Sequence, residues 1–144
     1  MMNKDEWYRD RILWRANQHK LFDKRCIEFS DLQSDQASLI SEVIPKNANP
    51  VLVFWEGRDR WTVLGTKDIF SFYDGNIISS SLDEINKQLS VFKPSGVEPE
   101  DIKARSDFIS LDAVGKLVWV PAGSELFALM NILQMFPLAE KNIA

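Results

Sequence analysis

Apolar and polar positions change rhythm along this chain and divide it into a helical opening, a run of strands and a helical close. Over Asp5–Asn17 the apolar residues fall in helical steps, with Trp7 and Trp14 seven apart, Tyr8 and Ile12 four apart, and charged residues between them. This predicts a helix docked through an aromatic stripe. Leu21–Phe29 fits two patterns, since Phe22 and Cys26 suit a helix whereas Ile27-Glu28-Phe29 alternates as a strand does. A second helix is predicted from Asp35 to Ile44, with Ser34 as its cap, Leu39, Ile40, Val43 and Ile44 as its apolar face, and Pro45 as its stop.

Beyond the linker Lys46–Pro50 the residues become β-branched and aromatic. Val51–Trp55 and Trp61–Leu64 read as a hairpin around the turn Glu56–Arg60. In Lys67–Tyr73, Ile69, Ser71 and Tyr73 face one way and Phe70 and Phe72 the other. Asp74-Gly75 suits a tight two-residue turn that pairs Asn76–Ser79 back onto this strand. Leu82, Ile85 and Leu89 predict a short helix behind Ser81, and Lys93–Asp101, with Pro94, Gly96 and Pro99, predicts a loop. Phe108–Leu111 and Lys116–Val120 form a further hairpin. Leu126, Leu129, Met130, Leu133 and Phe136 then mark a helix that opens after Pro121 and ends at Pro137, packed on the strands that hold Val53, Val63, Ile69 and Val118.

The whole reads as one α+β domain over residues 1–144. Helices occupy the extension 1–45, and an antiparallel sheet of about six strands, curved or closed into a partial barrel, is followed by a C-terminal amphipathic helix within 51–136. A chain of 144 residues with 45% hydrophobic and 26% charged residues can build such a core without a staple. Cys26 is the only cysteine, so no disulfide can form within the chain, and with one histidine it cannot supply the usual structural zinc ligands. The pattern predicts no metal and no cofactor. A charged start, Lys4-Asp5-Glu6, is unlike a secretory signal, and the longest apolar run, Leu126–Phe136, is broken by Asn131 and Gln134. A cytoplasmic protein without a transmembrane segment is expected.

Charge narrows the partners. A net charge of −4 argues against nucleic acid, whose phosphates need a concentrated basic surface. Between Asp74 and Asp112, eight acidic residues face four basic ones, which accounts for the whole imbalance. Within this stretch Glu98, Glu100, Asp101 and Asp107 are the candidate contacts for a basic protein partner, since complementary fields speed association.

Particular residues add a resemblance. Trp61-Thr62-Val63-Leu64-Gly65-Thr66-Lys67-Asp68-Ile69, then Asp74-Gly75, then Leu82-Asp83-Glu84-Ile85, resembles bacterial pleckstrin-homology-like (PH-like) proteins, and Trp119–Phe127 looks like their closing strand and helix start. The resemblance spans roughly residues 51–136 and implies an open barrel plugged by the last helix. The chain departs from that pattern in its N-terminal extension and in lacking a dense basic loop between its first strands, so the resemblance implies fold more than lipid binding.

Candidate chemistry is sparse. His19 and Cys26 are the one Cys/His pair a nucleophilic mechanism could use, but they stand in no signature context and read as an exposed histidine and a half-buried cysteine. The pairs Asp83/Glu84 and Glu100/Asp101 are adjacent in sequence and do not converge. The glycines are single, so no phosphate-cradling loop is present. Arg58 and Arg60 alternate with Glu56 and Asp59 and read as a solvated turn. Of five tryptophans, Trp55, Trp61 and Trp119 are expected in the core, while Trp7 and Trp14 dock the first helix. These readings favour a non-enzymatic protein-binding module of the immunity or inhibitor kind, directed at a cationic protein such as a nuclease-type toxin. A PH-like adaptor for a membrane-surface ligand or scaffold is the alternative, and a small enzyme comes third.

Overall fold

A computed structural model of the chain describes residues 3–85, 89–92, 106–111 and 116–136. Helix α1 (Lys4–Gln18) is capped by Asn3, whose side chain accepts the Glu6 N–H at 2.9 Å. Strand β1 (Ile27–Glu28) lies between two short 3₁₀ turns, and helix α2 (Ser34–Val43) follows. The cap of α2 is Gln33 rather than the expected Ser34: the Gln36 side chain reaches back to the Gln33 N–H at 3.2 Å.

Four strands then run as a meander, β2 (Pro50–Gly57), β3 (Arg60–Gly65), β4 (Asp68–Tyr73) and β5 (Asn76–Ser81). With β1 they form a five-stranded antiparallel sheet in the order β1-β2-β3-β4-β5. A second antiparallel sheet holds β6 (Ser90–Val91), β7 (Phe108–Ser110) and β8 (Leu117–Trp119), and helix α3 (Ser124–Leu133) follows it. The six strands expected from periodicity are present. The two additional strands, β1 and β6, are two residues long, too short for alternation to register. Asp74 and Gly75 adopt positive φ, 51° and 77°, which closes the β4–β5 turn as their residue types suggest.

The large sheet buries both faces, and strand alternation assigns each side chain to one of them. Leu52, Phe54, Leu64 and Ile69 point into the larger core, where they meet Val118, Leu126, Leu129, Ile132 and Leu133 from β8 and α3. Val53, Val63, Trp61 and Phe70 point the other way, onto Ile40 and Ile44 at the end of α2. Val53 and Val63 therefore do not meet the last helix as expected. Each follows an inward residue by one position, and a period of two carries it to the opposite face.

Helix α1 belongs to the larger core and contributes Trp7, Tyr8, Ile12 and Ala16. The Tyr8 ring lies 4.6 Å from that of Phe136, and its hydroxyl donates to Asp83 at 2.7 Å. Trp14 does not dock. The buried row advances in steps of four through Tyr8, Ile12 and Ala16, which leaves Trp14 44% exposed, with the guanidinium carbons of Arg11 and Arg15 4.3 Å and 5.3 Å from its ring. In place of the short helix expected over Leu82–Leu89, the described residues form a single 3₁₀ turn, Leu82–Glu84; the Leu82 N–H is committed to the Lys67 carbonyl, and residues 86–88 lie outside the described set.

Three hydroxyls join the two sheets. Strand β8 pairs with β7 along one edge, so the backbone groups of Leu117 and Trp119 point the other way, into the core. There Ser71 accepts the Trp119 N–H at 2.9 Å, Thr62 donates to the Trp119 carbonyl, and Tyr73 donates to the Leu117 carbonyl at 2.7 Å. Thr62 and Ser71 also contact each other at 2.7 Å. Because the one Thr62 proton goes to the carbonyl, Ser71 is the donor between them, and the ring closes with every group satisfied.

Candidate functional site

Aromatic and charged groups converge at the turn end of the large sheet. The β2–β3 hairpin returns at Gly57–Arg60 and the β4–β5 hairpin at Asp74-Gly75. An open cleft of about 600 Å³ runs between the two turns, with Glu56, Arg58, Asp59, Arg60, Phe72 and Asp74 on its walls. Beside it the strand registers align Trp55 with Trp61, Trp61 with Phe72 and Phe72 with Ile77. All four side chains share one face, so they form a row across four strands. Trp61 and Phe72 stack at 5.5 Å and 14°; Trp61 is fully buried, Trp55 and Phe72 are half-buried, and Ile77 is 43% exposed. The Trp61 indole N–H is buried without a hydrogen-bond partner.

The rim is charged with both signs. Arg60 is half-buried and ties Glu56 at 3.3 Å to Asp107 at 3.7 Å. Glu56, Arg58 and Asp59 are exposed, as a solvated turn requires, whereas Arg60 departs from that reading and bridges to the start of β7 through Asp107. Asp107, one of the residues expected to contact a partner, is thereby tied to Arg60 on the cleft wall. Glu98, Glu100 and Asp101 lie outside the described residues. The residues flanking their segment are joined, with the Ser106 hydroxyl donating to the Phe92 carbonyl at 2.8 Å. Four carboxylates, Glu56, Asp59, Asp74 and Asp107, therefore surround two guanidiniums.

The Cys/His pair looks different from its expected form. Cys26 is buried rather than half-buried, and burial, opposed by a backbone hydrogen bond from Val53, pushes its thiol up to about 12, so it is a neutral thiol near pH 7. His19 is half-buried at the end of α1. Burial first, then the charges of Arg15 and Lys24, hold its pKa below the ordinary value, and its Nε2 has no hydrogen-bond partner. Near these residues Arg25 binds Glu125 at 2.6 Å. Burial pushes the Glu125 carboxyl up, but hydrogen bonds from Arg25 and Ser124 outweigh it and leave its pKa below the usual range. Among the described residues no three His, Cys, Asp or Glu side chains gather into a metal-sized cluster, and no helix is long and apolar enough to cross a membrane.

The row Trp55–Trp61–Phe72–Ile77 escapes a reading that assigns tryptophans one by one. The signal was available in the Asp74-Gly75 turn, since a two-residue loop pairs Tyr73 with Asn76 and so places Phe72 opposite Ile77. Compared with known proteins, the chain matches no family model, no curated protein and no solved structure.

Proposed function

We propose that this chain is a non-enzymatic protein-binding module of the bacterial cytoplasm, an immunity or inhibitor protein that docks a basic partner at the turn end of its large sheet. The observation that carries this reading is the apolar row that ends in exposed Ile77 beside a cleft whose carboxylates outnumber its guanidiniums. Aromatic anchors surrounded by charged groups are the composition of binding hot spots, and an acidic rim attracts a cation from a distance. Cys26, a neutral buried thiol, suits a reducing compartment and offers no nucleophile.

A PH-like adaptor is supported by the order of the elements, a four-stranded meander, a three-stranded sheet and a closing helix. A lipid headgroup, however, would need basic groups in excess, and at this cleft carboxylates outnumber them.

The test begins with capture of a partner from bacterial lysate on immobilised protein. Association and dissociation are then measured at two ionic strengths for the wild type, for Phe72→Ala, and for a variant with Glu98, Glu100 and Asp101 changed to Lys. The reading expects faster dissociation for Phe72→Ala, and for the charge reversal slower association with a flatter salt dependence. Identical rate constants for all three proteins, or no protein bound by the wild type, overturn it.

A further inference from the structure

Among the described residues, the sheet edges are protected with one exception. Strands β1 and β6 are two residues long, which leaves almost no edge to pair. The inner edge of β8 is closed by the hydroxyls of Thr62, Ser71 and Tyr73. Strand β5 is different. It spans six residues, Asn76-Ile77-Ile78-Ser79-Ser80-Ser81, and pairs with β4 without a bulge. It contains no proline and no charged residue, the usual devices that blunt an edge.

The phase of the hairpin fixes which groups this edge offers. Closure at Tyr73 and Asn76 makes Ile78 and Ser80 the residues hydrogen-bonded to β4. The N–H and C=O groups of Ile77, Ser79 and Ser81 therefore point outward. The Ser79 carbonyl confirms this direction by accepting from the exposed ammonium of Lys116 at 3.2 Å. Ile77 and Ser79 are exposed, and Ser81 is half-buried.

We propose that β5 is a docking edge that takes up an extended segment of the basic partner as a sixth strand of the large sheet, with an apolar side chain opposite Ile77. This deepens the binding reading above and rests on it. A strand added here continues the row Trp55–Trp61–Phe72–Ile77 by one position, so a β-branched or aromatic residue covers the exposed part of Ile77. Its backbone N–H takes the Ser79 carbonyl and displaces Lys116, while the outward N–H groups of β5 gain acceptors. The ends of the edge select for positive charge. Asp74 stands exposed beyond Ile77 and Glu84 stands exposed after Ser81, while Asp83 between them is paired with Lys4 at 2.8 Å. A second copy of β5 would instead bring the Asp74 of one chain toward the Glu84 of the other, like charge against like.

The probes are two seven-residue peptides with blocked ends, Lys-Thr-Val-Thr-Val-Thr-Lys and the same sequence with Glu at both ends, titrated to millimolar concentration. The readouts are amide chemical shifts and hydrogen exchange in the full chain. The lysine peptide is expected to shift and protect the amides of Ile77, Ser79 and Ser81, and the glutamate peptide to bind several-fold more weakly. Ser79→Pro removes an outward N–H while leaving the pairs to β4 intact, and it abolishes the effect. Ile77→Lys keeps every backbone group, places a cation at the edge and weakens the lysine peptide several-fold; it stands in if Ser79→Pro does not fold. No protection in the wild type, or protection that survives Ser79→Pro or is unchanged by Ile77→Lys, overturns strand addition. Partner capture with altered rates in the earlier test, alongside a silent edge in this one, would leave a binder that docks through side chains alone.

Discussion

Replacing Ser71 with Ala and Thr62 with Val tests how the two sheets are held together. Both residues are fully buried, and each makes two of the three hydrogen bonds in the ring with the Trp119 backbone. Ser71→Ala strands the Trp119 N–H in the core, and Thr62→Val, nearly isosteric, strands the Trp119 carbonyl. An unsatisfied buried group of this kind costs about 1–3 kcal/mol. Taking about 2 kcal/mol and a chain of this length, the melting temperature should fall by about 6 °C for either single change. The double variant loses three bonds, whereas the two single variants added together lose four, because the Ser71–Thr62 bond is counted in each. The double change should therefore cost less than the sum of the singles by about one bond, or about 1 kcal/mol. Urea denaturation followed by tryptophan fluorescence reads this directly, since Trp61 and Trp119 are both buried. Ser79→Ala on exposed β5 is the control and should stay within about 0.5 kcal/mol of wild type. Additive single changes, or singles no larger than the control, would refute the hydrogen-bonded ring that couples Thr62 and Ser71.

Two further outcomes follow from the core and from His19. Leu133→Ala should destabilise by about 2–5 kcal/mol, because the side chain is fully buried between α3 and the large sheet; an unchanged denaturation midpoint would contradict that packing. Because the folded protein holds the His19 pKa below 6.5, the unfolded chain takes up the proton first, so stability should decline as pH falls through and below that value, and a His19→Gln variant should decline less when midpoints are compared across that window.

Much of this fold was legible in the sequence because its signals are local. The Asp74-Gly75 turn fixed a register, the alternation in Ile69–Tyr73 separated two faces, and the spacing of Leu126, Leu129 and Leu133 marked the buried side of the last helix. What depends on contacts far apart in sequence was not legible. Thr62 and Ser71 look like ordinary polar strand positions until β8 is brought against them. The seven-residue spacing of Trp7 and Trp14 is the same whether the second ring enters the core or, as here, stays 44% exposed under the guanidiniums of Arg11 and Arg15. The ion pair of Asp107 with Arg60 likewise bridges 47 positions of chain and leaves no local trace. The apolar row was hidden for a related reason: each member is unremarkable on its own strand and gains meaning only through the register of three hairpin pairings.

The sharing of one core by α1 and α3 also sets the order in which this protein can be made. Tyr8 waits for Phe136, and Arg25 for Glu125, each across a hundred residues or more. Synthesis proceeds at about 5–20 residues per second, so the first helix spends several seconds on the ribosome without the surface that will cover it. The β2–β5 meander pairs neighbours only and can assemble during that interval, with its larger-core face still open to water. Closure comes last, when the residues up to Phe136 have left the exit tunnel. A translational pause placed before α3 should therefore lengthen the time a nascent chain stays bound to chaperones.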